Sequence, residues 1–169
     1  MMDNFNTSHF NKNELDKGYA ELLKGKDFKW FITLTYKNAA NQKLTTDKVQ
    51  RDIDNLHRIM HRECFGKHYK NKDNADKMII NMFSSIEKGM DENIHIHILL
   101  SDILSGIETK TSTPLNELLL NTWREKILGK LGKYANTDCQ VITYINGVVH
   151  YILKESGTGY ENIDLSKLS

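Results

Sequence analysis

Apolar and polar residues alternate over Ile94-His95-Ile96-His97-Ile98, running into Leu99-Leu100. A period of two is the pattern of a strand with one covered face and one open face. The isoleucines share one face and both histidines share the other. Trp30 to Tyr36 alternates in the same way. Trp30, Ile32, Leu34 and Tyr36 lie on one side; Phe31, Thr33 and Thr35 lie on the other. β-Branched and aromatic residues suit such a strand. Met78 to Glu87 predicts the strand before the histidines, with Lys88 to Asn93 as the turn. Asp138 to Ile145 predicts the last strand.

Between these runs the spacing becomes helical. Asn11 with Glu14 predicts a capped helix over 12–24, with Leu15, Tyr19, Leu22 and Leu23 as its stripe and Gly25 as its stop. Thr45 or Thr46 opens a second helix to about Cys64, whose buried stripe is Val49, Ile53, Leu56 and Met60. Thr113-Pro114 starts a third, since proline at the first helical position loses no needed hydrogen bond. Its inner face is Leu115, Leu118, Leu119, Trp123, Ile127 and Leu128; Gly129 and Gly132 loosen or end it. Asn146-Gly147 predicts a turn, and Val148 to Glu155 has room for two helical turns.

The order is β-α-β-β-α-β with one helix before it and one after, the ferredoxin-like order. The fold class is α+β: an antiparallel sheet with its long helices on one face and an additional C-terminal helix. Residues 1–155 make the domain, and 156–169 read as a polar tail or linker. If Ile94, Ile96 and Ile98 face the covering helices, His95 and His97 face away from them.

Composition narrows the class. The chain has 169 residues, 39% apolar and 27% charged, with two cysteines and a net charge of +1. A chain of this length buries roughly 70% of its extended surface and needs no disulfides. Cys64 and Cys139 form neither a disulfide framework nor a cysteine-rich zinc site. No signal peptide is visible, and no apolar run approaches the ~20 residues that span a bilayer. A reducing, cytoplasmic setting without a membrane partner is the expectation. Near-neutral charge excludes a uniformly cationic nucleic-acid binder but leaves room for a local groove, since basic residues recur from Lys24 to Lys72 and from Arg124 to Lys133.

The candidate chemistry lies on the histidine strand. A hairpin joining Ser85-Ile86-Glu87 to Ile94 sets Glu87 opposite His95, where cross-strand Cβ atoms lie about 4.5–5.5 Å apart. Glu87, His95 and His97 then make a metal-ligand set. Imidazole and carboxylate together suit Mn, Zn, Fe or Co and accept Mg less ideally. Three protein ligands leave positions open for substrate oxygens. Tyr151 is the candidate nucleophile, and Lys154, one helical turn on, is placed to stabilise negative charge beside it. His150 points elsewhere on that helix. Taken singly, each feature has a plain structural reading: two surface histidines, a carboxylate at a hairpin end, a solvated lysine beside a core tyrosine.

Three stretches together resemble the HUH endonucleases, in particular the initiators of rolling-circle replication in plasmids and viruses. Phe31-Ile32-Thr33-Leu34-Thr35-Tyr36 resembles that family's first motif, His95-Ile96-His97-Ile98 its histidine motif, and Tyr151-Ile152-Leu153-Lys154 its tyrosine motif. Their order is that of the initiators and not of relaxases. The resemblance implies Mn²⁺ or Mg²⁺ on His95, His97 and a third polar side chain, for which Glu87 is the candidate. It implies that Tyr151 nicks and rejoins single-stranded or hairpin origin DNA through a covalent 5′-phosphotyrosine. The chain has no Gly-rich phosphate loop followed by Lys-Ser/Thr, so either a separate helicase unwinds the DNA or this chain is a fragment of a longer protein, and a host polymerase is the other implied partner. The implied location is the cytoplasm of a bacterial or archaeal host, or a viral replication compartment. Only one tyrosine is placed as a nucleophile; Tyr144 falls on the predicted last strand. The alternatives are a single-tyrosine HUH transposase and a non-catalytic nucleic-acid-binding domain that stacks bases on residues such as Phe31.

Overall fold

The computed structural model describes residues 12–36, 44–71, 75–88, 94–155 and 163–168. Nine main elements follow in order: α1 (Lys12–Lys24), β1 (Phe28–Thr35), α2 (Thr46–Phe65), β2 (Met82–Lys88), β3 (Ile94–Ser101), α3 (Leu115–Asn121), β4 (Thr137–Val141), α4 (Ile145–Glu155) and β5 (Ile163–Asp164). The strands form one antiparallel sheet in the order β4-β1-β3-β2-β5. This is the expected mixed α+β architecture.

Side-chain parity divides the sheet as the alternation predicts. Ile94, Ile96 and Ile98 of β3, with Ile32 and Leu34 of β1, are buried in the larger core. The stripe of α2 closes that core: Val49, Ile53, Leu56, Met60 and Cys64 are all buried. Thr45 caps α2, accepting a hydrogen bond from the Lys48 amide at 3.3 Å. Gly66 ends it at φ 87°, a left-handed conformation suited to glycine, while its amide bonds the Arg62 carbonyl. Trp123 and Leu119 complete this side.

The opposite face carries the second core, where Phe83 and Leu99 of the sheet meet Leu23 of α1 and Val149, Ile152 and Leu153 of α4. Phe28 joins it through a register shift between Phe28 and Trp30. One extra residue there flips Phe28 to the face opposite Trp30.

Several sequence expectations are corrected. In α1 the inward residues are Tyr19, Ala20 and Leu23, whereas Leu22 is 42% exposed. Asn11 lies outside the described residues, as does the side chain of Leu15. Strand β2 begins at Met82; Met78 and Ile80 are buried without belonging to a strand. The Ile80 backbone is held instead by histidines of α2: His57 Nε2 lies 2.9 Å from its carbonyl and His61 Nε2 accepts its amide at 3.2 Å. Pro114 is the extended residue before α3, not its first helical residue. After Asn121 the helix widens into a π turn over Thr122–Ile127, closed by the Leu128 amide on the Trp123 carbonyl at 2.9 Å. Gly132 then passes so near Arg124 that a Cβ would overlap its carbonyl oxygen.

Strand β4 stops at Val141, and Asn146-Gly147 is not a turn but part of the first turn of α4. Tyr144 therefore precedes the helix on an exposed loop. Within the expected polar tail, residues 163–168 belong to the fold. Ile163 and Asp164 pair with β2, Leu165 and Leu168 pack in the second core, and Lys167 is buried between Asp54 and Asp164. Among the described residues no helix is long and apolar enough to cross a membrane.

Candidate active site

The histidine face presents rows of side chains across neighbouring strands. Thr35, His95 and Glu87 are paired in register, as are Thr33, His97 and Ser85. The expected opposition of Glu87 and His95 is therefore present. Glu87 also reaches diagonally: its Oε2 lies 2.8 Å from Nε2 of His97. His95 is partly exposed, whereas His97 is only 3% exposed.

His97 is buried by aromatic rings. Phe31 stacks on it with centroids 5.7 Å apart, and the Tyr151 ring meets its edge at 5.6 Å. Phe31 and Tyr151 touch each other edge-on at 5.9 Å. Tyr151 itself remains 44% exposed. It reaches this position because Ile152 and Leu153 anchor α4 in the second core. Neighbouring residues of a helix point about 100° apart, so those anchors orient Tyr151 beside His97. Lys154 lies in α4, but its side chain is outside the described residues.

Two hydrogen bonds hold the His97 ring, and they are compatible with either tautomer. An ionised carboxylate only accepts, so with Glu87 ionised the 2.8 Å contact has the imidazole N–H on Nε2. The Thr33 hydroxyl then donates to Nδ1, 3.2 Å away. A hydroxyl both donates and accepts, so Thr33 equally supports the other tautomer, with the proton on Nδ1 and Nε2 bare. That is the tautomer a metal ligand requires, with its second nitrogen held from outside. Thr35, its neighbour on the same face, is engaged with the backbone, since its hydroxyl donates to the Asn136 carbonyl at 2.6 Å.

The donor chemistry fits a divalent ion that prefers mixed nitrogen and oxygen ligands, Mn²⁺ above Mg²⁺. Glu87, His95 and His97 are the residues that would hold it. Among the described residues, no three His, Cys, Asp or Glu side chains already stand at metal-holding geometry. The Glu87 oxygen and the His97 nitrogen face each other at 2.8 Å, and these two side chains would have to give up that hydrogen bond to hold an ion. Ser85, which pairs with His97 across the strands, has a buried hydroxyl with no hydrogen-bond partner among the described residues.

The sequence pattern singles out Glu87, His95, His97 and Tyr151, and the fold brings these four to one face. It gives Thr33 no definite role, because β propensity alone explains a threonine in a strand. Strand register is the signal that could have found it: Thr33 and His97 share parity on strands that are neighbours in the sheet. Comparison with protein-family models, with curated proteins and with solved structures finds no match to this chain.

Proposed function

We propose that this chain is a metal-dependent DNA strand transferase of HUH type, which nicks and rejoins a single strand at a replication origin and so initiates rolling-circle replication. The observation that carries the reading is the convergence of Glu87, His95 and His97 beside a solvent-open Tyr151, whose ring lies 5.6 Å from that of His97. The sheet order β4-β1-β3-β2, with helices after β1 and β3, supports the ferredoxin-like reading of the fold.

A bound Mn²⁺ or Mg²⁺ supplies Lewis-acid polarisation of the scissile phosphate and neutralises charge developing on its oxygens. Glu87, His95 and His97 would hold that ion beside α4, on the side where Tyr151 is exposed. The Tyr151 oxygen forms the new bond to phosphorus as the bond to the 3′ oxygen breaks. The phenol proton passes to solvent, and the departing 3′ oxygen takes one up. The 5′ phosphate stays esterified to Tyr151, so attack by a 3′-hydroxyl reverses the step and joins strands. Lys154 is proposed to steady the phenolate or the phosphate. A separate helicase supplies unwinding and a host polymerase extends the free 3′ end.

The test is incubation with single-stranded DNA pools in Mn²⁺, followed by denaturing electrophoresis. A DNA–protein adduct that disappears with EDTA and in Tyr151→Phe supports the reading. Retention of DNA without cleavage, indifferent to EDTA, replaces it with a non-catalytic binding domain. Recovery of transposon ends in place of a replication origin assigns the same chemistry to a transposase.

A further inference from the structure

Helices α1 and α4 lie side by side on the histidine face, and a cleft of about 420 Å³ opens between them. That volume falls within the ~300–1,000 Å³ of small-ligand sites. The floor is apolar, formed by Ala20 of α1 with Val149 and Leu153 of α4. Lys17 and Lys24 of α1 and His150 of α4 line it as exposed side chains. Asp16 is the one carboxylate among the described lining residues. None of these groups belongs to the Glu87–His95–His97 cluster. His150 nevertheless immediately precedes Tyr151, turned about 100° from it around α4.

An apolar floor with a cationic rim fits a ligand that is flat and apolar at one end and anionic at the other. Inorganic phosphate has no use for the floor, and an aliphatic ligand has no use for the lysines. A nucleotide uses both. The net charge of +1 gives no general attraction for a polyanion, so affinity for DNA has to come from local groupings of this kind. A strand whose phosphate lies at Tyr151 has only to pass around one side of α4 to reach His150.

We propose that the α1–α4 cleft is a subsite for one nucleotide of the single DNA strand flanking the scissile phosphate. The base rests on Ala20, Val149 and Leu153 beside the His150 ring, and the neighbouring phosphates lie on Lys17 and Lys24. The proposal rests on the strand-transfer reading for the identity of the ligand, but its chemistry is binding alone and needs no ion.

The test is fluorescence anisotropy of labelled oligothymidylate with the full chain in EDTA, across a salt series. The double substitution Lys17→Gln/Lys24→Gln is expected to weaken binding about tenfold. It also makes the slope of log K against log salt shallower by about 1.4, two phosphates at ~0.7 each. His150→Ala weakens binding severalfold and leaves that slope unchanged, because a stacking contact releases no counterion. Both variants keep the wild-type thermal midpoint, since these side chains are exposed. Wild-type affinity and slope in the double variant overturn the subsite, as does a wild-type chain that fails to retain the oligonucleotide. Adduct formation at Tyr151 separates the two claims. An adduct with unaltered binding in the double variant removes the subsite alone. Weakened binding with no adduct on any DNA removes strand transfer and leaves a nucleotide-binding cleft.

Discussion

His97 is the residue on which the site turns, because its two ring nitrogens have different partners. Nε2 faces Glu87 and Nδ1 faces Thr33. Removing the hydroxyl while keeping the shape, as in Thr33→Val, leaves Nδ1 without its partner. Outer partners of metal-bound histidines are typically worth 10–100-fold in metal affinity. Calorimetric titration with Mn²⁺ on the folded variant is therefore expected to give an affinity for Thr33→Val about 10–100-fold below wild type. Equal affinities assign Thr33 to the strand alone.

The histidines of α2 follow a different logic. Burial lowers the His57 pKa to about 4 and also lowers that of His61, and both hold the backbone of Ile80. Their folded forms are neutral, so the unfolded chain binds more protons once pH falls below about 6.5. Stability is complete above that value and declines toward pH 4. At about 1.4 kcal/mol per pKa unit, His57 alone sets a ceiling on the order of 3 kcal/mol. Urea titrations at stepped pH are expected to show this decline, and His57→Gln to flatten it. Below about pH 4, Asp164 adds to the loss. Burial raises its pKa, but hydrogen bonds from Lys167 and Ser166 outweigh that and hold it at about 2.

At the scale of elements, β3 is where sequence and structure agree best. Its alternation separates a core face from a chemical face, and a one-residue slip would exchange them. Truncating the two faces should have unequal effects. Ile96→Ala opens a cavity in the larger core and is expected to cost about 2–5 kcal/mol in denaturant unfolding. His95→Ala, on the partly exposed side, is expected to stay within about 0.5 kcal/mol while abolishing strand transfer. Comparable losses of stability would mean that His95 is a packing residue.

Period two and a short hairpin are local signals, so the sharing of one face by Glu87, His95 and His97 was legible in the sequence. Elements set by distant contacts were not. The register shift that flips Phe28 has no composition of its own. The π turn at Thr122–Ile127 sits inside an uninterrupted helical pattern of apolar residues that gives no sign of it. Asn146-Gly147 has turn chemistry, yet Val149, Ile152 and Leu153 pull that stretch into α4 because their burial outweighs local propensity.

For the whole molecule, the sheet divides packing from chemistry. One side, covered by α2 and α3, is closed core. The other side holds a smaller core and leaves its remaining area to the histidines, Phe31 and Tyr151. Strand β5 borders the sheet beside β2, the strand that carries Glu87. Lys167 pins that border: its ammonium is nearly buried, bonded to Asp164 and lying 2.8 Å from Asp54. Lys167→Ala leaves Asp164 without its cation and is expected to cost about 2 kcal/mol, the scale of a hydrogen bond between charged groups. Hydrogen exchange should then show faster opening of the Met82 amide, which bonds the Lys167 carbonyl at 3.2 Å. An unchanged exchange rate there would mean that β5 is held by Leu165 and Leu168 alone. A polar stretch at the end of a chain gives little hint of such docking, because its partners Asp54 and Gln50 lie more than a hundred residues earlier.

The most direct test of the central claim is the anomalous signal of manganese in crystals of the protein. The account predicts one peak within bonding distance of Glu87, His95 and His97, with the Glu87–His97 hydrogen bond replaced and the Tyr151 hydroxyl facing the same open side. A Glu87–His97 bond left intact at saturating manganese, with no peak between those side chains, would contradict it.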